Sequence, residues 1–298
     1  MRVFVTGATG FIGSAVVKEL IAAGHQVLGL DRSDDKAAAL TTAGAEVVRG
    51  SVDDVDSLKE GVARSDGVIH LAFNHDFLRY RDNCEADRRV IEVLGSALVG
   101  SDRPLIVSSG TAVANTAPGQ ISTEDDKPAS SAVVPRAASE EAAASVRTSG
   151  VKVSVVRLPQ VHDTRKQGLI TYAIEIALEK GKSAYLADGT NRWPAVHVLD
   201  TARLYRLALE KAEAEATYHA VAEEGVPMRN VAEVIGRRLE LPVVALVPEE
   251  ASTHFGWFAA FAGRDIPASS AQTREKLGWQ PTGPGLIADL ERLHISDT

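Results

Sequence analysis

Three glycines carry the clearest chemical signal in this chain. Gly7, Gly10 and Gly13 stand in the run Thr6-Gly7-Ala8-Thr9-Gly10-Phe11-Ile12-Gly13, directly after the β-branched and aromatic segment Arg2–Thr6 and at the start of an amphipathic one. A strand, a glycine turn and a helix in that order leave unpaired backbone N–H groups aimed at an anion. Gly7 allows the tight turn, Gly10 lets a pyrophosphate approach the backbone, and Gly13 lets the helix pack close to the strand. Thr9, Phe11 and Ile12 share this turn. The spacing is Gly-x-x-Gly-x-x-Gly, and its context reads as a dinucleotide-phosphate site.

A second constellation, Asp31-Arg32-Ser33, closes the next expected strand. A carboxylate there binds adenosine ribose hydroxyls and favours NAD. An arginine there pairs with the 2′-phosphate of NADP. Both types are present; the reading leans to NADP, through Arg32 and Ser33 with Asp31 turned aside, and leaves NAD open.

Candidates for the chemistry lie further along. His75 follows the fourth expected strand, at the edge where ligands of open α/β sheets bind. It is a candidate proton donor near neutral pH, with the neighbouring Asp76 as a group that would raise its pKa. A surface histidine is the plainer reading. Ser109 and Thr111 end the fifth strand and offer hydroxyl donors. Tyr80 is a more distant candidate. His70 is expected to point into the core and His197 to hold the junction between lobes. Phe77, Trp193 and Phe255–Phe258 offer an apolar substrate wall, against the commoner reading of aromatics as core.

The elements that would position these groups follow from periodicity. Strands are expected at Arg2–Thr6, Gln26–Leu30, Glu46–Arg49, Gly67–Leu71, Pro104–Val107 and Lys152–Arg157. Helices are expected at Phe11–Ala23, Ala37–Ala43, Val55–Ala63, Glu85–Leu98 and Pro135–Ser149. This alternation implies an α/β fold, a doubly wound parallel Rossmann sheet. The rhythm changes after about residue 160. The expected division is a dinucleotide-binding core over 1–160 and a smaller C-terminal substrate lobe over 161–298, with some segments returning to the core. Residues 114–131 read as a loop.

Bulk properties narrow the class. The chain has 298 residues, 45% of them hydrophobic, and a formal net charge of −8. An acidic chain without a basic run argues against nucleic acid and anionic membrane as partners. The single cysteine, Cys84, precludes an internal disulfide and fits a cytoplasmic setting. No Cys/His cluster suggests a metal.

The glycine run is similar to the fingerprint of the short-chain dehydrogenase/reductase superfamily. The chain resembles its extended and atypical branches, the NAD-dependent epimerase/dehydratase family. Val68–Ala72, Val107–Thr111, Val156–Val161, Pro194–Asp200 and Ser270–Trp279 carry further similarity. The resemblance implies that Ser51 and Val52 lie near the adenine, and that Leu71, Ala72 and Phe73 lie near the ribose and nicotinamide. It places Pro159 and Val161 beside the nicotinamide, and Ser109 and Thr111 on a substrate oxygen. It also implies a homodimer paired through Glu85–Leu98 and Pro135–Ser149.

The family's Tyr-x-x-x-Lys pair is missing. Arg136 stands at the tyrosine position and Glu140 at the lysine position, and Asp87 stands where the family tends to have asparagine. Arginine cannot give up a proton near neutral pH. Arg136 is read as a substrate-binding residue, with an i,i+4 ion pair to Glu140 as the plainer alternative. The expected activity is hydride transfer between a nicotinamide cofactor and a small carbonyl or alcohol. A cofactor-binding regulatory protein and a nucleotide-sugar epimerase or dehydratase are the alternatives.

Overall fold

The structure is a computed structural model, and it describes residues 1–114, 117 and 119–294. Asn115, Thr116 and Pro118, within the expected loop, lie outside the described residues.

The first half alternates strand and helix. β1 (Arg2–Thr6) leads into α1 (Phe11–Ala22), then β2 (Gln26–Asp31), α2 (Asp34–Thr42), β3 (Glu46–Arg49), α3 (Val55–Ala63) and β4 (Gly67–His70). α4 (Tyr80–Ser96), β5 (Leu105–Gly110), α5 (Ala138–Thr148) and β6 (Val153–Leu158) complete this part. α4 starts before the expected Glu85, because Arg81 and Asp82 sit on its solvent face and mask the apolar period. α5 is preceded by a 3₁₀ turn over Pro135–Ala137.

The second half builds a small lobe and twice revisits the core. β7 (Gln160–His162), α6 (Ile170–Lys180), β8 (Ser183–Leu186) and β9 (Arg192–His197) are followed by α7 (Val198–Lys211) and β10 (Thr217–His219). β11 (Glu223–Pro227), α8 (Met228–Leu239), β12 (Val243–Leu246), α9 (Ala251–Phe255), α10 (Ala259–Ala262), α11 (Ala271–Leu277) and α12 (Leu286–Leu290) end the chain.

The main sheet has seven strands in the order β10-β6-β5-β4-β1-β2-β3, and every pairing in it is parallel. Strand order reverses between β1 and β4, where ligands of such sheets bind. β10 was not expected from the sequence. It pairs with β6 through Tyr218 and Val156, and Tyr218 is fully buried.

Two apolar layers cover the sheet. One packs α1 and α7 against it through Val16, Leu20, Leu204, Tyr205 and Leu209. The other packs α3, α4 and α5 through Leu58, Ile91, Leu94, Ala142 and Val146. The small lobe has its own core around Trp193, Val231, Ile235, Phe255 and Phe258. Trp279 joins the first layer and donates from Nε1 to the Asp200 carbonyl at 3.0 Å, which fixes the C-terminal segment to α7. His197 caps α7 by accepting from Leu199 N–H at 3.3 Å, and so ties β9 to that helix.

Candidate active site

The glycine turn has the form its sequence requires. Gly7 has φ +67, and a Cβ there would stand 2.7 Å from the Ala72 nitrogen. A Cβ on Gly13 would stand 2.0 Å from the Gly7 carbonyl oxygen, so only glycine lets α1 start this close to β1. Gly10 caps α1 with no side-chain hydrogen bond. The first-turn N–H groups of Phe11, Ile12 and Gly13 thus lack a side-chain cap, at the positive end of the helix dipole. They face the point where strand order reverses. The turn fits a dinucleotide pyrophosphate on geometry alone.

Asp31 is not turned aside. Its Oδ2 accepts from the Thr9 hydroxyl at 2.5 Å, and its Oδ1 accepts from Ser33 N–H at 2.8 Å. Arg32 is exposed. The carboxylate held at the end of β2 keeps lone pairs free for further donors. Ser51 accepts from Asp53 N–H at 3.2 Å. Val52 borders a groove of about 560 Å³ between α3 and α4, with Leu58, Val90 and Val93.

At the heart of the site is a buried polar chain that joins four distant parts of the sequence. Asp87, on α4, accepts from Arg136 Nη1 at 2.7 Å and from the Ser139 hydroxyl at 2.5 Å. Its other oxygen lies 2.9 Å from His70 Nε2, and His70 Nδ1 lies 2.6 Å from Thr6 Oγ1. Thr6 Oγ1 also accepts from Leu71 and Ala72 N–H at 3.3 Å. The pattern is satisfied if Thr6 donates to Nδ1 and Nε2 donates to Asp87. Burial pushes the Asp87 carboxyl up, but Arg136 and the His70 hydrogen bond outweigh it and hold it well below the usual carboxylate range. Asp87 is therefore a buried anion, not the solvated helix carboxylate of the plainer reading.

Arg136 stays charged. Burial works against its guanidinium, and Asp87 more than restores it. Nη2 donates to the Ser108 carbonyl at 2.9 Å, and Cζ sits 4.2 Å above the Phe73 ring. Its Nε–H and second Nη2–H have no acceptor among the described residues. Arg136 does not pair with Glu140. Glu140 takes a two-point ion pair from Arg157, Nε to Oε1 and Nη2 to Oε2, both at 2.9 Å. The family's Tyr and Lys positions thus belong to two separate buried ion pairs, Arg136 with Asp87 and Glu140 with Arg157.

Other expected residues fall differently. Ser109 Oγ is closed to solvent and has no hydrogen-bond partner among the described residues. Ser108 faces α7, bonded to Tyr205; strand alternation turns Ser109 to the α4–α5 side, away from open solvent. Thr111 is buried at the start of a 3₁₀ turn. Neither hydroxyl stands open to a substrate in this conformation, and the Arg136 side chain keeps only 14% of its surface exposed. Trp193 is no pocket residue. It is fully buried in the small-lobe core, with Nε1 donating to the Arg264 carbonyl at 3.0 Å. Val161 is likewise packed in the core, while Pro159 is half-buried between β6 and β7.

His75 has the opposite tendency from the expected one. It is exposed on its outer face, and its ring meets Phe73 at 5.2 Å and Phe77 at 6.2 Å. Its pKa is lowered, first by desolvation and then by the Arg136 charge. A neutral imidazole near pH 7 accepts a proton more readily than it gives one. Asp76 does not raise it: that carboxylate caps the following turn by accepting from Leu78 N–H at 3.1 Å. Burial, and next Cys84, push the Tyr80 hydroxyl up to about 12, which makes it a poor acid.

Comparison with known proteins agrees with this geometry. Residues 3–222 match the NAD dependent epimerase/dehydratase family, and the chain belongs to it. An uncharacterised protein of Schizosaccharomyces pombe is 47% identical, over 97% of this chain and 98% of its own. One of Saccharomyces cerevisiae is 43% identical, over 97% and 98%. Among solved structures, a dTDP-glucose 4,6-dehydratase from Streptomyces venezuelae with NAD bound superposes with a TM-score of 0.77 at 22% identity, covering 98% of this chain and 95% of that one. That likeness speaks for the fold. No described helix is long and apolar enough to cross a membrane.

Proposed function

We propose that this protein is an NAD(H)-dependent oxidoreductase acting on the carbonyl or alcohol carbon of a small organic molecule. The observation that carries the reading is Arg136, a fixed cation with unspent donors, beside a glycine turn built for a dinucleotide. The α1 N-terminus would hold the pyrophosphate, and Asp31 the adenosine ribose. The bound nicotinamide would supply or accept the hydride at carbon, with one proton gained or lost at oxygen.

Arg136 takes over part of the missing tyrosine's role. It cannot donate a proton, but it can hold a substrate oxygen and stabilise negative charge that develops there. Asp87, Ser139 and the Ser108 carbonyl hold the guanidinium in place, so little reorganisation is needed. Proton movement falls to His75 or water. The neutral tendency of His75 suits it to accept the proton in the direction of alcohol oxidation. The Tyr-x-x-x-Lys positions hold Arg136 and Glu140, and the Tyr80 hydroxyl, pushed up to about 12 by burial, is a poor acid for a reaction that needs a tyrosine acid–base.

The test is a fluorescence titration with NADH and with NADPH, alone and in Asp31→Ala. We expect NADH to bind more tightly. Loss of charge-assisted hydrogen bonds worth about 1.5–3 kcal/mol should cost Asp31→Ala about 10–100-fold in NADH affinity and narrow the preference over NADPH. Equal binding of both cofactors by the native chain would overturn the NAD assignment. Tight binding with no turnover of any carbonyl would favour a regulatory role.

A further inference from the structure

Aromatic residues make up 5% of the chain, yet six of them meet beside Arg136. Phe73 and Phe77 come from the connection after β4, at the ligand-binding edge of the sheet, and Tyr80 opens α4. Tyr172 comes from α6, and Trp257 and Phe261 from the segment around α10. Phe77 stacks on Trp257 with centroids 4.6 Å apart and planes 5° from parallel. Tyr172 stands edge-on to both, at 5.6 and 5.0 Å. Phe261 stands edge-on to Phe77 at 5.9 Å and to Tyr80 at 6.2 Å. Phe73 reaches Tyr80 at 6.4 Å and carries the Arg136 guanidinium on its face.

Tyr172, Trp257 and Phe261 lean on the small-lobe core from outside, but all six rings are only half-buried, whereas Trp193 and Trp279 are fully buried in packed layers. Contiguous half-exposed aromatics at the junction of two lobes mark a place where apolar surface awaits an occupant. The cluster also has a polar end. Arg136 is already neutralised by Asp87, so the pair suits a neutral oxygen; a carboxylate or phosphate would leave an uncompensated buried anion. Arg192 on β9 is taken up by Asp265 in a two-point pair at 3.1 and 2.9 Å.

We propose that the substrate is a flat, uncharged ring compound with a carbonyl or hydroxyl on it. Its ring packs on the exposed sides of Phe73, Tyr80 and the Phe77–Trp257 stack, and its oxygen meets Arg136. This rests on the oxidoreductase reading and adds the substrate class. Ring stacking contributes about 0.5–1.5 kcal/mol per aromatic pair beyond area burial. Two or three such contacts correspond to roughly 10–100-fold discrimination between a ring and an open chain of equal size.

The experiment pairs benzaldehyde with heptanal, and acetophenone with methyl hexyl ketone, on the full chain. Binding is read first, without turnover, from tryptophan emission. Trp193 and Trp279 are buried, so saturable quenching reports Trp257. We expect saturable quenching by the ring members only, weakened about tenfold or more in Phe77→Leu. Trp257→Phe, the milder change, guards against misfolding: it should remove the quenchable component while NADH still binds. With NADH present, kcat/KM should favour the ring members by at least about tenfold. Saturable quenching by ring compounds together with absent NADH binding would retain the aromatic site and overturn the oxidoreductase reading. NADH binding with unsaturable quenching, with equal use of the open-chain partners, or with turnover of UDP-glucose would overturn the substrate class and leave the oxidoreductase reading standing. Failure of both NADH binding and saturable quenching would overturn both.

Discussion

Asp87→Asn tests whether the buried pair with Arg136 is the electrostatic centre of the site. The substitution keeps the shape and removes the charge. It leaves Arg136 facing a neutral amide, and it offers His70 or Ser139 a donor where each now has an acceptor. The two side chains are 4% and 14% exposed, so water cannot replace the lost carboxylate. Breaking a buried pair from one side costs about 3–5 kcal/mol. The unfolding entropy of a chain this long is about 0.6 kcal/mol/K, so Tm should fall by about 5–8 °C. Arg136→Met completes a double-mutant cycle, since methionine keeps the packing on Phe73. The double variant should recover about 2–3 kcal/mol relative to the sum of the singles. The pH dependence has a definite sign. The Asp87 carboxyl is depressed in the folded state, so its stabilisation is complete above the unfolded pKa of about 3.9 and is lost as pH falls toward the folded value. The Tm gap between wild type and Asp87→Asn should hold constant from about pH 8 to about pH 5 and close only below. Strict additivity, within about 0.5 kcal/mol, would refute the coupling. A gap that closes between about pH 8 and about pH 6 would refute the assignment of the titration to Asp87.

Two further substitutions test the parts on either side. Gly13→Ala puts a Cβ 2.0 Å from the Gly7 carbonyl; α1 must move off β1, and NADH affinity by titration should drop on the order of 100-fold, at a stability cost of about 1–3 kcal/mol. Retained affinity would show that the turn does not seat the cofactor. Glu140→Gln removes the charge from the partner of Arg157, which is 1% exposed; thermal unfolding should shift down by about 5–8 °C, and a shift under about 1 °C would mean the pair contributes no net stability.

The sequence was most legible where the backbone itself constrains residue type. Only glycine fits at 7 and 13, so the turn and the first strand and helix could be read directly. The α/β alternation likewise gave the doubly wound sheet. Side-chain pairing was much less legible. Thr6, His70, Asp87 and Arg136 lie on four separate elements, and nothing local in the chain marks them as partners. Asp31 beside Arg32 is ambiguous in the sequence, because the Thr9 hydroxyl that holds the carboxylate lies on a different turn. Arg136 and Glu140 have the spacing of a helix ion pair, but each finds a stronger buried partner elsewhere. Trp193 shows that an aromatic type near a glycine-rich stretch says nothing about which way the ring faces. The ring cluster drew on Tyr172 and Phe261, neither of which has a local signal. What could have raised attention was the density of rings in Phe73–Tyr80.

The late arrival of β10 has a consequence for how the protein is made. During synthesis the ribosome delivers the glycine turn first and β10 more than two hundred residues later. Until then β6 is the open edge of the sheet, and the face that α7 will cover exposes Val3, Val5 and Ile106. Bare edges and uncovered faces of this kind are where nascent chains associate wrongly. Only β7, α6, β8 and β9 of the small lobe are made before the sheet is sealed, and β11, α8 and the rest of that lobe's core follow β10. The last strand of the sheet is thus set in the middle of the lobe's sequence, and the two units cannot be separated by a single cut in the chain.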